Sequence, residues 1–275
     1  MTITFIGGGN MATALVGGML THGAAAADFR IVEPSGEARG RLATRHPGIA
    51  LHGGCTREAV AGATLVVLAV KPQQMREAAQ ALATHLAGAT PVVLSIAAGI
   101  RLADLSRWLR GHERLVRAMP NTPALVGRGI SGVYAAPGTD AAGRGLAASV
   151  LDAAGEVVWV ESEAMLDAIT GVSGSGPAYV FYFLEALEEA ARDLGFSAQD
   201  ARRLAYSTFA GAMALAEASP AEPATLRAQV TSKGGTTECA LAAMETGAVK
   251  AQIVAAIRAA AARAVELGDA FGSGA

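Results

Sequence analysis

Residues 2–12 read TITFIGGGNMA, a short apolar run that leads directly into glycines. The run is typical of a buried strand, and the apolar pattern after the glycines is typical of a helix. Gly7, Gly9 and Ala12 stand at the small-residue positions of the spacing GxGxxA. In a strand–turn–helix setting this spacing indicates a dinucleotide-binding site, because small residues let a pyrophosphate approach the N–H groups at the helix start.

The rest of the first half alternates between strand-like runs and helical stretches. We predict strands at 2–6, 29–33, 65–70, 91–96 and 114–119, with candidate edge strands at 129–135 and 157–160. Continuous aliphatic runs are typical of strands buried on both faces, and their alternation with helices predicts a parallel sheet with crossover helices. Residues 1–160 are therefore predicted to form an α/β Rossmann-type domain with a mainly parallel sheet.

The second half differs, because apolar residues recur at helical spacing from about Glu161 onward. We predict helices at 163–170, 176–194, 198–218, 223–231, 236–246 and 249–270, and a frayed tail at 268–275. Residues 161–275 are therefore predicted to form an all-α domain.

The composition argues against several classes of protein. The 22 Lys and Arg residues against 24 Asp and Glu give a formal net charge of −2, which is unlike a general nucleic-acid binder. No window approaches ~18 unbroken apolar residues, and no basic residue precedes Arg30, so neither a membrane span nor a secretory signal is expected. Cys55 and Cys239 form no metal-binding pattern. We expect a soluble, cytoplasmic protein without a metal.

The end of the second predicted strand bears on the choice of nucleotide. Glu33 stands there, and an acidic residue at this position usually binds the adenosine ribose and disfavours a 2′-phosphate, unless it simply points to solvent. Ser35, Arg39 and Arg41 follow closely and are suited to bind that phosphate. The two signals oppose each other, and we lean slightly towards NADPH, with NADH as the alternative.

Two further segments follow predicted strands. Ala69, Lys71 and Pro72 come after one strand, and Ala97 and Gly99 come after the next. Ligands of doubly wound sheets sit at the carboxyl ends of the strands, so we expect these residues to flank a nicotinamide. Lys71 is either a proton donor or, as we favour, a residue that positions the cofactor or starts a helix, since Pro72 suits a first helical turn.

Two motifs admit both a structural and a functional explanation. Asn121 stands between two prolines, where it either orients an amide or a bound water or belongs to a rigid turn. The glycine-rich stretch 171–179 opens a long predicted helix beside an aromatic cluster. It serves either close helix packing or the wall of an active site.

The stretch 231–237 reads TSKGGTT and joins two predicted helices. Free N–H groups at the second helix start, with hydroxyls around a glycine pair, suit a carboxylate without needing arginine. The alternative is ordinary helix capping, but the hydroxyls outnumber what one cap requires, so we favour ligand binding. All five histidines lie within residues 1–160, so chemistry in the second half must proceed without a histidine acid or base.

Taken together, these motifs resemble the pyrroline-5-carboxylate reductase family over essentially the whole chain. The most specific stretches are 230–245, 171–179, 119–124 and 69–72. The resemblance implies NADPH or NADH as hydride donor and reduction of the cyclic imine 1-pyrroline-5-carboxylate to L-proline, the final step of proline biosynthesis. It also implies a Rossmann domain followed by a helical dimerisation domain, which interleaves in a homodimer and often assembles into decamers.

The resemblance further implies roles for individual residues. In the family, the loop matching 232–237 holds the substrate carboxylate through backbone N–H groups, and the hydroxyl matching Thr237 lies near the ring nitrogen. Substrate positioning then involves Ser232, Gly234, Gly235, Thr236 and Thr237. Cofactor contacts carry over to Gly7, Gly9, Asn10, Met11, Ala69, Lys71, Pro72, Ala97 and Gly99, and Ser35 is added for its place after Glu33.

The sequence departs from the family pattern at three places. A family asparagine that contacts the cofactor is Thr56 here, and a proline before the glycine pair is Lys233, a cation that can attract the carboxylate. A glutamate before the penultimate helix has no clear match, and Pro220 stands in its place. Two alternatives are a 3-hydroxyacid dehydrogenase-like oxidoreductase, whose catalytic lysine would be Val180 here, and a non-catalytic NADP-sensing protein.

Overall fold

The computed structural model describes residues 1–86 and 88–273, and its first feature is an eight-stranded sheet with the order β3-β2-β1-β4-β5-β6-β7-β8. The strands are β1 Ile3–Ile6, β2 Phe29–Val32, β3 Ala50–His52, β4 Leu65–Leu68, β5 Val92–Ser95, β6 Leu115–Met119, β7 Gly129–Ala135 and β8 Gly155–Trp159. All neighbouring strands pair in parallel except β6 and β7, which are antiparallel. The predicted Rossmann-type, mainly parallel sheet is confirmed.

Helices connect the strands and dominate the described chain after β8. In the first half they are α1 Asn10–Thr21, α2 Gly36–Arg45, α3 Arg57–Val60, α4 Met75–Ala83, α5 Leu102–Trp108 and α6 Ala141–Asp152. In the second half they are α7 Met165–Ile169, a π-helical segment Thr170–Gly174, α8 Gly176–Asp193, α9 Ala198–Glu217, α10 Pro223–Gln229, α11 Thr236–Thr246 and α12 Val249–Ser273. No described helix is by itself long and apolar enough to cross a membrane; α11 and α12 meet that test only as a pair bent by 52°.

Side-chain alternation along the central strands divides the core between the two faces of the sheet. In β1, Ile3 and Phe5 belong to a cluster with α1 and α6, whereas Ile6 belongs to a cluster with α4 and α5. β4 alternates in the same way, since Leu65 lies opposite Ile3 in register. Both faces are buried, which explains why these strands are continuously apolar.

The structure adds one strand that the sequence did not reveal. β3 has three residues, Ala50–His52, at the edge of the sheet beside β2. Three residues are too few to establish a two-residue alternation, so periodicity gives no signal there.

The chain divides into two compact units, and the domain boundary predicted at residue 160 stays a prediction. The first unit comprises Met1–Ser175 together with the chain from Ala259 onward, and the second is Gly176–Arg258. Residues 161–175 belong to the first unit because α7 packs against β6 and β7. Within the second unit, α8 packs against α9, and among its residues only Ala201 and Ala205 are buried. Its helices therefore expose apolar side chains that a folded chain normally covers.

The predicted frayed tail is wrong for the described residues of that segment. α12 continues to Ser273, past Gly268 and Gly272. Gly268 is buried, and Phe271 packs against the core cluster on the α4 and α5 face. Tertiary contacts thus offset the helix-breaking tendency of the glycines, which costs about 1 kcal/mol each. Residues 274–275 lie outside the described residues.

Candidate active site

The glycine turn after β1 lies at the topological switch point of the sheet, where the strand order reverses between β1 and β4. Gly7 has φ +104°, and a Cβ placed on it would lie 2.6 Å from the carbonyl oxygen of Ala69. The Ala69 N–H donates to the carbonyl oxygen of Ile6, so the ends of the two strands are held side by side. The predicted residues Gly7 and Ala69 are therefore neighbours at the position where doubly wound sheets bind nucleotides.

The N-terminal end of α1 is uncapped and has free space beside it. Gly9 is its N-cap residue with φ −71°, no side chain caps the helix, and a Cβ on Gly9 would meet nothing within 4 Å. Gly9 and Asn10 are exposed, Met11 is half-buried and Ala12 is buried. First-turn N–H groups have no acceptor inside a helix, so this end offers donors and space for a phosphate.

Glu33 does not point to solvent. Its carboxylate accepts hydrogen bonds from the Gly8 N–H at 3.1 Å and the Ser35 N–H at 2.9 Å. Ser35 Oγ accepts from the Ala38 N–H and caps α2. The acidic side chain is thus fixed between the glycine turn and the end of β2, where an adenosine ribose would bind.

The two arginines predicted near a 2′-phosphate have partners within the chain. Arg39 Nη1 donates to the carbonyl oxygens of Glu33 at 2.7 Å and Pro34 at 2.8 Å. Arg41 is paired with Glu37, four residues earlier on the exposed face of α2. A 2′-phosphate would have to compete with these contacts and with the Glu33 carboxylate.

The segment after β4 begins a short helix, as favoured from the sequence. Lys71 is the N-cap residue of a 3₁₀-helix at Pro72–Gln74, and Pro72 occupies the first helical position. Lys71 is exposed. Thr56, which replaces a family asparagine, caps α3 by accepting the Ala59 N–H at 3.3 Å.

The turn after β5 is covered by the C-terminal end of the chain. Ala97 and Gly99 are buried, and a Cβ on Gly99 would lie 3.1 Å from the Phe271 ring. Sequence reasoning missed this contact. The only available signal was the apolar Phe271 within a glycine-rich tail.

Asn121 and the stretch after α7 are engaged in structural contacts. Asn121 Nδ2 donates to the Ser173 carbonyl at 3.1 Å, and its Oδ1 accepts from the Ile130 N–H at 2.9 Å. A Cβ on Gly174 would lie 2.7 Å from Met119 Cε. These contacts support the packing explanation for Asn121 and for the glycines up to 174.

The predicted substrate loop lies in the second unit, before α11. Gly234 has φ +72°, and the Gly235 N–H donates to the Ser232 carbonyl at 3.0 Å, which forms a tight turn. Gly235 is the N-cap residue of α11, so no side-chain hydroxyl caps this helix. Capping therefore does not account for the hydroxyls of Ser232, Thr236 and Thr237, and ligand binding is favoured.

Glu238 is a member of this loop that sequence reasoning missed. Its Oε2 accepts the Gly234 N–H at 2.6 Å. The signal was weak, because acidic residues are common in the first turn of a helix and Glu238 lies in the first turn of α11. Glu238 braces the turn and leaves the first-turn N–H groups of α11 to serve as donors.

Burial shifts the pKa values of two histidines and one cysteine. Burial lowers the pKa of His46 and of His112, and burial raises the pKa of the Cys55 thiol. Among the described residues, no group of three or more His, Cys, Asp or Glu side chains could hold a metal ion. The predicted substrate loop offers backbone N–H groups and hydroxyls.

Comparison with known proteins places the chain in a family. A family model described as pyrroline-5-carboxylate reductase dimerisation matches residues 163–267, and one described as NADP oxidoreductase, coenzyme F420-dependent, matches residues 2–99. Over 270 residues the chain is 43% identical to a pyrroline-5-carboxylate reductase of Pseudomonas aeruginosa, covering 98% of both proteins. The chain belongs to the pyrroline-5-carboxylate reductase family.

Other relatives agree with this placement. A pyrroline-5-carboxylate reductase of Haemophilus influenzae is 37% identical, again over 98% of both proteins. The solved structure of a pyrroline-5-carboxylate reductase from Coxiella burnetii superposes with a TM-score of 0.90 at 38% identity, over 97% of this chain and 98% of that one. The predicted family and oxidoreductase class are confirmed. The match to a dimerisation domain indicates self-association, which explains the exposed apolar residues of the second unit.

Proposed function

We propose that this chain catalyses the NAD(P)H-dependent reduction of 1-pyrroline-5-carboxylate to L-proline. The observation that carries the proposal is the 43% identity to a reductase of that name over 98% of both proteins. The N-terminal end of α1 at Gly9 has no side-chain cap and is proposed to bind the nucleotide. The N-terminal end of α11 also has no side-chain cap, and with the loop before it is proposed to bind the carboxylate. Steady-state loss of NADPH or NADH absorbance with this imine tests the proposal; no substrate-dependent loss with either nucleotide would refute it.

The chemistry requires little acid–base catalysis. A cyclic imine protonated at nitrogen is already electrophilic at carbon 5, so the protein mainly has to position the reactants. The nicotinamide supplies the hydride when bound. The residues proposed to bind the nicotinamide nucleotide follow the carboxyl ends of strands or begin α1. They are Gly7, Gly9, Asn10, Met11, Ala69, Lys71, Pro72, Ala97 and Gly99.

In this proposal the loop before α11 binds the substrate carboxylate. The loop and its N–H and hydroxyl donors are formed by Ser232, Gly234, Gly235 and Thr236. The Thr237 hydroxyl positions the ring nitrogen. Lys233 is exposed and contributes a positive charge to the same loop. A carboxylate is favoured there because the N-terminal end of a helix is partially positive.

Thr237→Ala is expected to lower kcat/KM for the imine by about 10- to 100-fold, because the ring nitrogen loses its partner. Thr246→Ala is the matched control: Thr246 lies in the same helix and its hydroxyl bonds the Ala242 carbonyl at 2.9 Å. Both variants should keep the wild-type circular dichroism spectrum. Kinetics of Thr237→Ala equal to wild type would remove this hydroxyl from the mechanism.

For the nucleotide, we propose NADPH as donor with NADH as a second donor. Ser35 and the nearby arginines support NADPH, whereas the fixed Glu33 carboxylate supports NADH. The balance therefore depends on Glu33.

Glu33→Ala is expected to raise the ratio of kcat/KM for NADPH to that for NADH by about tenfold. Removing the carboxylate relieves its repulsion of the 2′-phosphate and withdraws an acceptor from the ribose hydroxyls of NADH. Glu156→Ala serves as the control, because Glu156 is exposed on β8, at the other end of the sheet from β2. An unchanged ratio for Glu33→Ala would place the ribose elsewhere.

The assembly and location are also proposed. We propose an interleaved homodimer, supported by the exposed apolar side chains of the second unit, with a decamer built from such dimers as the larger alternative. Light scattering of the purified protein distinguishes a dimer from a decamer by mass. A cytoplasmic location is proposed from the sequence, and fractionation of the source cells tests it.

A further inference from the structure

The last turns of α12 pack on the turn that follows β5. Gly99 has φ +73°, and the space where a side chain would project is filled by the Phe271 ring, 3.1 Å from the Cβ position. Gly99 is buried and Phe271 is half-buried. The ring therefore supports the backbone of this turn directly.

Polar contacts join the same two segments through Asp269 and Gly272, which flank Phe271 in sequence. Arg101 Nη1 lies 2.8 Å from Asp269 Oδ1. Arg107 Nη2 donates to the Gly272 carbonyl at 3.1 Å and to Asp104 Oδ1 at 2.7 Å. Two arginines, Arg101 just before α5 and Arg107 in its last turn, thus contact α12 directly.

The glycines of the α12 end make the close approach possible. A Cβ on Gly268 would lie 3.2 Å from Arg101 Nε, and one on Gly272 would lie 2.6 Å from Asp104 Oδ2. Larger residues at these two positions would push α12 away from the turn. The glycine-rich tail therefore suits docking at this place.

A second contact holds the far end of the turn. Glu163 Oε1 accepts the Leu102 N–H at 2.8 Å, and Leu102 begins α5. The turn between β5 and α5 is thus braced by Glu163 at its end and by α12 along its length.

We propose that residues 268–272 are a positioning element that holds the turn of Ala97 and Gly99 in its nucleotide-binding conformation. The proposal rests on the proposed function, which assigns Ala97 and Gly99 to the nicotinamide half of the cofactor. A turn that is already held in the bound conformation loses little conformational entropy when the nucleotide binds. Holding the turn therefore increases the affinity for the nucleotide. Phe271 and Asp269 are positioning residues, because they affect nucleotide binding only by holding the turn in place.

The experiment compares Phe271→Ala and Asp269→Asn with wild type in the full-length protein. Glu266→Ala is the control, because Glu266 lies on the same helix in an exposed pair with Arg263. We measure Kd for NADPH and for NADH by fluorescence titration without substrate, and then KM for nucleotide and imine, well below the unfolding temperature of each variant. For Phe271→Ala we expect nucleotide Kd and KM to rise about tenfold, with kcat and the imine KM within about twofold of wild type.

Asp269→Asn is expected to raise nucleotide Kd by about threefold, because its ion pair is partly exposed. Phe271→Leu, which refills most of the space, should restore most of the affinity. Nucleotide Kd unchanged in Phe271→Ala would overturn the positioning role while leaving the proposed function intact. Equal losses for nucleotide and imine, unrelieved by Phe271→Leu, would also overturn it. A wild-type protein that binds neither nucleotide would overturn the proposed function, and the positioning role with it.

Discussion

Gly7→Ala is expected to lose at least about 100-fold in nucleotide affinity and roughly 2–4 kcal/mol of folding free energy. The residue has φ +104°, a conformation that L side chains rarely adopt, and the new Cβ would lie 2.6 Å from the Ala69 carbonyl oxygen. Backbone atoms cannot move aside without separating β1 from β4. Urea denaturation and nucleotide titration measure the two losses.

Gly9→Ala is the matched variant, because it should separate binding from stability. Gly9 has φ −71° and open space around its Cβ position, so alanine fits the protein without strain. Its folding free energy should change by less than about 1 kcal/mol, the size of an N-cap effect. Nucleotide KM should nevertheless rise about tenfold or more, since the methyl group occupies the approach of the pyrophosphate. Wild-type nucleotide affinity in Gly9→Ala would show that the phosphates do not pass over this residue.

Arg117→Met is expected to destabilise the first unit by about 3–5 kcal/mol, because it leaves two carboxylates without their buried cation. Arg117 is only 3% exposed and lies 3.1 Å from Glu163 and 3.2 Å from Asp167. The three residues join β6 to α7 and, through Glu163, to the start of α5. Urea denaturation followed by fluorescence measures the loss.

Two further variants separate the buried charge from the loss of packing. Arg41→Met, which breaks an ion pair whose arginine is 67% exposed, should cost less than about 0.5 kcal/mol. The triple variant Arg117→Met, Glu163→Gln, Asp167→Asn should recover part of the stability, since no charge remains unpaired. A cost below about 1 kcal/mol for Arg117→Met would mean that water reaches these carboxylates and solvates them.

Much of the site was predictable because its signals are local. The spacing of Gly7, Gly9 and Ala12 between a strand and a helix places a nucleotide turn without any long-range contact. The hydroxyl-rich loop before α11 was predicted as a ligand site in the same way, and helical periodicity located α8 to α12.

Other features needed contacts between residues distant in sequence. Asn121 admitted two explanations until Ser173 and Ile130 were found bonded to its amide. Glu33 was compatible with solvent exposure until its carboxylate was found on the Gly8 and Ser35 N–H groups. In both cases the polar side chain could form hydrogen bonds with many different groups, and only the folded structure determines which groups lie within reach.

The sequence by itself determined the α/β and helical halves, the nucleotide turn and the family, because periodicity, small-residue spacing and loop chemistry are properties of neighbouring residues. Only the tertiary structure decided that the glycine-rich end of α12 is ordered helix against Gly99, and that a buried Arg117 joins β6 to α7. The free energy of these contacts comes from groups that meet only after the chain has folded. No local pattern in either partner specifies the other.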